Sequence, residues 1–186
     1  MAAPKRLYFT EDDDANELIA RDPLALLIGF ALDQQVPVPT AFLGPLKLKQ
    51  RLGTLDARVV AETDPGKLEA IFREKPAIHR FPGSMAQRVQ ELAALVVAEY
   101  GGDASRLWRE ARDADDLRTR IAALPGFGEM KIKSLGAVLS QRFGVTKADP
   151  LVPSHPTLGV VDSPAKLAEY QGWKREYKAK QRTAAR

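Results

Sequence analysis

The sequence predicts an all-α protein. Apolar residues recur at three- and four-residue steps through nearly every periodic segment, no alternating run of useful length marks a strand, and proline or glycine punctuates the pattern at helix-length intervals. No internal repeat or low-complexity tract interrupts it beyond a basic tail. At 186 residues the chain is the size of one domain or two small lobes, long enough to bury a core without covalent staples. A content of 45% hydrophobic and 28% charged residues is that of a globular protein, and no apolar run approaches the ~20 residues that span a bilayer.

The elements follow in order. Thr10, followed by Glu11 to Asp14, reads as an N-cap with acids in the first turn, and Ala15, Leu18 and Ile19 form a short apolar stripe ending at Arg21. Asp22-Pro23 restarts a helix in which the carboxylate caps and proline takes the first turn; Leu24 to Leu32 is too apolar for a surface helix and is the expected core helix. Pro37 and Pro39 break it, after which Phe42, Leu46, Leu48 and Leu52 predict a helix closing at Gly53. Asp64-Pro65 opens another with Leu68, Ile71 and Phe72 inward, and Pro76 stops the turn that follows. Ser84 is the expected cap of the longest helix, where Val89, Leu92, Ala93, Val96 and Val97 recur until Tyr100-Gly101-Gly102 ends it. Leu107-Trp108 and then Leu117, Ile121 and Leu124 mark two more helical pieces, with both Trp108 and Trp173 expected to pack inside or between lobes. A further helix runs from Glu129 to about Arg142 and stops at Gly144, a loop stiffened by Pro150, Pro153 and Pro156 follows, and Asp162-Ser163-Pro164 caps a last helix that frays near Thr183.

Composition excludes several chemistries. With no cysteine, the chain has no disulfide framework, thiolate zinc site, cysteine-ligated iron–sulfur cluster or cysteine nucleophile, and its two histidines, far apart in sequence, make no metal-ligand spacing. Neither metal nor cofactor is expected. The net charge of +4 is unevenly spread. Glu11, Asp12, Asp13, Asp14, Glu17 and Asp22 crowd the start, while Lys166, Lys174, Arg175, Lys178, Lys180, Arg182 and Arg186 crowd the end. That end reads either as a solvated terminal helix or as one facing phosphate. The N-terminal stretch lacks the zones of a signal peptide, so the expected location is cytoplasmic, associated with the nucleoid, and no membrane partner is expected.

The most informative stretch is Leu124-Pro125-Gly126-Phe127-Gly128-Glu129-Met130-Lys131-Ile132-Lys133. It joins two helices through a turn with glycine at two positions, where the backbone can take left-handed torsions and approach a ligand closely. The second helix then starts with outward amide hydrogens and a positive dipole end, and Lys131 and Lys133 sit just behind. Such a hairpin grips a nucleic-acid backbone without reading sequence. It resembles the helix-hairpin-helix motif of the base-excision DNA glycosylases of the endonuclease III superfamily, whose hairpin reads Leu-Pro-Gly-x-Gly. Leu24 to Gln35, ending Asp33-Gln34-Gln35-Val36, looks like the superfamily's core helix and the glutamine-bearing loop after it, and Gly83 to Tyr100 looks like the helix before the hairpin region. His79-Arg80-Phe81-Pro82-Gly83-Ser84-Met85-Ala86 further resembles a compact actinobacterial branch of such repair proteins.

The resemblance covers roughly Asp22 to Gly144 and implies a two-lobed helical bundle with a helix-hairpin-helix motif at about 115–143 and a C-terminal helix at about 163–182. It also implies an enzyme that flips a damaged base out of duplex DNA and breaks its bond to the sugar, with an ionised aspartate stabilising the oxocarbenium character of the sugar. Two aspartates are candidates. Asp162 fits by local context, because Val160-Val161-Asp162-Ser163-Pro164 resembles the apolar-apolar-Asp run that enters the next helix, but the linker from Gly144 is longer than the family pattern. Asp149 fits the spacing better, but Pro150 disfavours helix at the aspartate itself.

The bifunctional members carry a Schiff-base lysine in the hairpin's second helix; Met130 holds that position here, which implies a monofunctional enzyme, with Lys131 and Lys133 left to phosphate or solvent. By the same resemblance Gln35, or Gln34, enters the duplex to fill the gap left by the flipped base. Asp33, His79 and Arg80 are candidate pocket residues, and Gly126, Phe127, Gly128, Met130, Lys131 and Lys133 form the DNA-binding hairpin. The expected partner is duplex DNA holding a damaged base, met by a monomer. The alternatives are a noncatalytic hairpin protein that recognises distorted or branched DNA, and a helical interaction domain without a DNA role.

Overall fold

Capping chemistry sets where most of the helices begin. A computed structural model describes residues 3–185, with no strand among them. Helix α1 (Asp13–Arg21) is capped by Asp12, whose carboxylate accepts the Ala15 amide at 2.9 Å. Thr10 is therefore not the cap; its hydroxyl accepts the Asp12 amide, and buried Asn16 takes the amides of Phe9 and Thr10, so Thr10 fastens the entering chain. Helix α2 (Pro23–Leu32) begins at Asp22, which accepts the amides of Leu24 and Ala25 at 2.9 and 3.2 Å. Every residue from Leu24 to Leu32 is buried.

Helix α3 (Val38–Leu52) carries Pro39 in its first turn rather than being delayed by it, and ends at Gly53 with φ +92°. Helix α4 (Ala57–Glu62), capped by Asp56, is too short to have shown a period. Asp64 caps α5 (Pro65–Arg73), as its Asp-Pro signature predicts. Helix α6 (Pro82–Tyr100) starts two residues before Ser84: Phe81 holds the cap position without a side-chain bond and Pro82 supplies the first turn, so Ser84 lies inside the helix.

Short α7 (Arg106–Arg109) and Asp113-capped α8 (Ala114–Ala122) lead to α9 (Glu129–Phe143), which stops at Gly144 with φ +66°. The segment predicted as plain loop holds two 3₁₀ turns, Thr146–Leu151 and Leu158–Val160. Helix α10 (Pro164–Ala184) is longer than α6, and its cap is Ser163, which accepts the Lys166 amide at 3.3 Å. Asp162 lies outside the cap.

Helix α2 is the axis of assembly. It packs against α1, α3 and α6, with α4 and α5 laid on α6; α8, α9 and the two 3₁₀ turns form a second group to which α10 docks. The buried side chains of both groups form one continuous apolar cluster, in which each fully buried Leu, Ile or Phe contributes about 1.5–3 kcal/mol. Phe42 sits edge-on to Phe9 and Phe30, at 5.0 and 5.2 Å between ring centres. Among the described residues no helix is long and apolar enough to cross a membrane.

Close approach of α2 to α3 depends on Gly29, where an added Cβ would lie 2.3 Å from the Phe42 ring. Gly29→Ala is therefore expected to lower stability by about 1–3 kcal/mol in denaturant titration through overpacking, even though alanine is the better helix former by ~1 kcal/mol. A stability gain would show that the α2–α3 contact is looser than described.

Candidate nucleic-acid interface

The turn between α8 and α9 closes with the Phe127 amide donating to Leu124 O at 3.1 Å. Gly126 has φ +76°, and a Cβ there would meet the Arg88 guanidinium at 2.7 Å. Glycine is required at 126 for both reasons. Gly128 differs: its φ of −88° suits any residue, and a Cβ there would meet nothing within 4 Å. Only one of the two hairpin glycines is thus a torsional necessity; the other keeps the approach to α9 open. No side chain caps α9, so its first-turn amides are available to an external acceptor. Phe127 is buried and Met130 is 64% exposed. Glu129 is paired with Arg118 and, at 3.5 Å, with Lys133, so Lys133 is partly neutralised.

Lys131 is half-buried, with its amine turned inward. Its Nζ donates to Ala31 O at 3.1 Å, in the last turn of α2, and stands 5.4 Å from the Phe127 ring centre. The hairpin is thereby fastened to the end of the core helix, where unpaired carbonyls and the negative dipole end favour a cation. Other donors serve the same turn. The Phe81 amide donates to His79 Nδ1, which leaves the proton on Nε2 to donate to Leu32 O and Gln34 O, each at 3.1 Å. Arg88 donates to Gln34 Oε1 at 2.6 Å. Burial pushes the His79 pKa down, keeping the ring neutral.

Two expectations change here. His79 is only 2% exposed with both ring nitrogens spent, so it is a fastening residue and cannot read a base. Lys131 fastens the hairpin to α2 with its amine bonded inward rather than standing free on the surface.

Asp33 follows directly on this turn. Its side chain is 14% exposed and lies 3.8 Å from Lys174 Nζ of α10. Burial pushes its carboxyl up, against the charges of Lys174, Lys131 and Lys178. Lys131 is shifted the opposite way: burial, aided by Arg88 and opposed by Asp33, brings it down to about 8. Tyr170, also buried, is pushed up by burial and by Asp33. A carboxylate and an amine are thus both shifted towards their neutral forms at one place, a combination that clusters at functional sites and also occurs in structural ion-pair networks.

Gln34 is half-buried and held inward by Arg88, whereas Gln35 is exposed with φ +55°, a strained value for a residue with a Cβ. Gln35 lines a groove of about 440 Å3 with Val36, Pro37, Lys174, Arg175 and Lys178. Arg80 is exposed over the Phe81 ring, 4.9 Å from its centre. The basic face of α10 therefore borders the glutamine loop. A larger hollow of about 570 Å3 between α1 and α3 includes none of these residues.

The two aspartates favoured by sequence lie elsewhere. Asp162 is exposed, and ten residues of helix at about 1.5 Å each separate Pro164, beyond it, from Lys174 beside Asp33. Asp149 is exposed in the first 3₁₀ turn and accepts a hydrogen bond from Ser140 Oγ at 2.6 Å. Trp108 is buried, but Trp173 is half-buried in a stack with His155 and Tyr177, at 5.7 and 5.2 Å between ring centres. Among the described residues no group of three His, Asp or Glu stands close enough to hold a metal ion. Comparison of the chain with family models, curated proteins and solved structures finds no match in any of the three.

The environment of Lys131 is directly measurable. Its side-chain Cε resonance is expected to titrate with a midpoint near 8, while exposed lysines titrate near ~10.4. A Lys131 midpoint at the exposed value would show that its amine stands free on the surface.

Proposed function

We propose that the chain is a base-excision DNA glycosylase that binds a damaged duplex through the α8–α9 hairpin and hydrolyses the bond between the damaged base and its sugar. The observation that carries this reading is the junction of the hairpin with the end of α2. Lys131 ties the phosphate-gripping turn to Ala31, and the next residues along the chain are a buried carboxylate, Asp33, and an exposed, strained glutamine, Gln35. A backbone grip, a group able to enter the stack and a group able to stabilise a cationic sugar are adjacent, as base flipping requires. Lys174, Arg175 and Lys178 extend the positive surface along the groove beside Gln35.

Met130 at the lysine position of bifunctional relatives supports simple hydrolysis that leaves an abasic site. One observation favours a second reading. Lys131, shifted down to about 8 by burial, holds a minor neutral fraction near physiological pH, and an amine released from Ala31 O would be able to attack the sugar and break the strand.

A panel of duplexes, each with one lesion (alkylated purine, deaminated base or oxidised pyrimidine), separates these readings. Strand cleavage only after alkali is expected. Cleavage without alkali, with a borohydride-trapped adduct lost in Lys131→Met, would establish the lyase instead. No base release from any lesion, with salt-sensitive and lesion-independent binding intact, would overturn the enzyme reading in favour of a binding module. Gly128→Val tests the grip itself: the site is open, so folding should be unaffected, while a side chain over the α9 amides should weaken duplex binding roughly tenfold or more, the worth of a charge-assisted hydrogen bond. Unchanged affinity would remove the hairpin from the interface.

A further inference from the structure

We propose that Asp33, rather than Asp162 or Asp149, is the carboxylate that acts at the sugar, with Lys174 as the residue that positions it. This rests on the glycosylase reading and assigns its chemistry.

Asp33 is placed unlike the aspartates that cap helices. Asp12, Asp22, Asp56, Asp64 and Asp113 each precede a helix and accept amide hydrogens there, where the dipole favours an anion. Asp33 instead follows the last turn of α2, at the end where the dipole opposes negative charge. Among the described aspartates it is the one that is largely buried and accepts no amide hydrogen. Its one partner is Lys174 of α10, 3.8 Å away, and the charges of Lys131 and Lys178, from the hairpin helix and α10, favour its ionised form from farther off. Removing water from a carboxylate without giving it amides costs several kcal/mol in general.

Asp33 is not itself in the wall of the Gln35 groove, and Lys174 connects it to that wall. The exposed, strained Gln35 lies two residues away, and Lys174 both pairs with Asp33 and lines the groove beside Gln35. Lys174 is therefore a side chain that a DNA phosphate can draw aside, exposing the carboxylate as the backbone arrives. The C1′–N bond then breaks with both electrons leaving on the base, which takes a proton from solvent water. The cationic sugar is held by the Asp33 carboxylate. A water adds its oxygen to C1′ and gives a proton to Asp33, which returns it to solvent; the net change is one water consumed, one free base and one abasic sugar formed. A carboxyl held above its ordinary range by burial suits the proton-accepting part of that sequence.

The test compares wild type with Asp33→Asn, Asp162→Asn and Asp149→Asn on the lesion panel. It also compares their binding to duplexes holding a cationic pyrrolidine or a neutral tetrahydrofuran in place of the abasic sugar. Asp33→Asn is expected to slow base release about 100-fold or more, the usual effect of removing one preorganised electrostatic group. It should keep tetrahydrofuran-duplex affinity and lose a preference for the pyrrolidine of about tenfold or more; the other two variants should keep both. Base release by Asp33→Asn at the wild-type rate, or loss of release with the pyrrolidine preference intact, would overturn the assignment while leaving the glycosylase reading standing. No release by wild type from any lesion would overturn that reading and the assignment with it. Should Asp33→Asn fail to fold, Lys174→Met on half-exposed α10 decides. Loss of that cation should move the acid limb of the pH–rate profile to higher pH, and an unmoved limb overturns the assignment.

Discussion

A helix that is apolar on every side must end somewhere inside the protein, and the end of α2 is where the rest of the structure is organised. From Leu24 to Leu32 no residue reaches solvent, so the last carbonyls of the helix cannot be left to water and must find donors in the fold. Local amides of Asp33 and Gln34 serve Phe30 O and Leu32 O, and further donors come from segments remote in sequence. Lys131 of the hairpin helix takes Ala31 O, neutral His79 takes Leu32 O and Gln34 O, and Arg88 of α6 holds the Gln34 side chain. Burying one helix completely therefore brings the hairpin, the segment before α6 and α6 itself to a single turn. Arg88 also lies against Gly126, so the same residue that steadies the turn fixes the hairpin beside it.

Electrostatics gives this junction its character. Most of the charge in the molecule is placed where it stabilises: aspartates at helix starts, ion pairs four residues apart such as Arg73 with Glu69 and Arg106 with Glu110, and Glu129 held between Arg118 and Lys133. The Asp33 neighbourhood runs the other way. A carboxylate sits at the negative end of a helix and an amine is withdrawn from water, each shifted towards neutrality. Groups shifted in this way cluster at functional sites. The strained torsion at Gln35 is of the same kind, and it lies two residues from Asp33.

Most of the fold was legible because its signals are local. Asp22-Pro23, Asp64-Pro65, Gly101 and Gly144 each act within a turn of their own position, and the helices they bound stand close to where those residues place them. Errors arose where a cap competes with its neighbours: Asp12 prevails over Thr10, Pro82 opens α6 ahead of Ser84, and Ser163 caps in place of Asp162. The junction was harder to read because its bonds are distant, with 100 residues between Lys131 and Ala31 and 47 between His79 and Leu32. One signal was nevertheless present. Lys131 stands four residues before Leu135 and four after Phe127, on the apolar stripe of its helix rather than on the polar face, and a lysine at such a position is directed inward. Nothing local marked Asp33 as buried by α10, since that burial depends on a helix more than a hundred residues away.

The central claim is that duplex DNA lies across the hairpin, the Gln35 loop and the basic face of α10. It is tested most directly by following backbone amide resonances while titrating a duplex that holds a neutral abasic analogue. Shifts concentrated at Gly126 to Lys131, at Gln35 and at Lys174 to Lys178, with the hollow between α1 and α3 unaffected, are the predicted result. Shifts centred on that hollow, or none at the hairpin under conditions where the duplex binds, would contradict it.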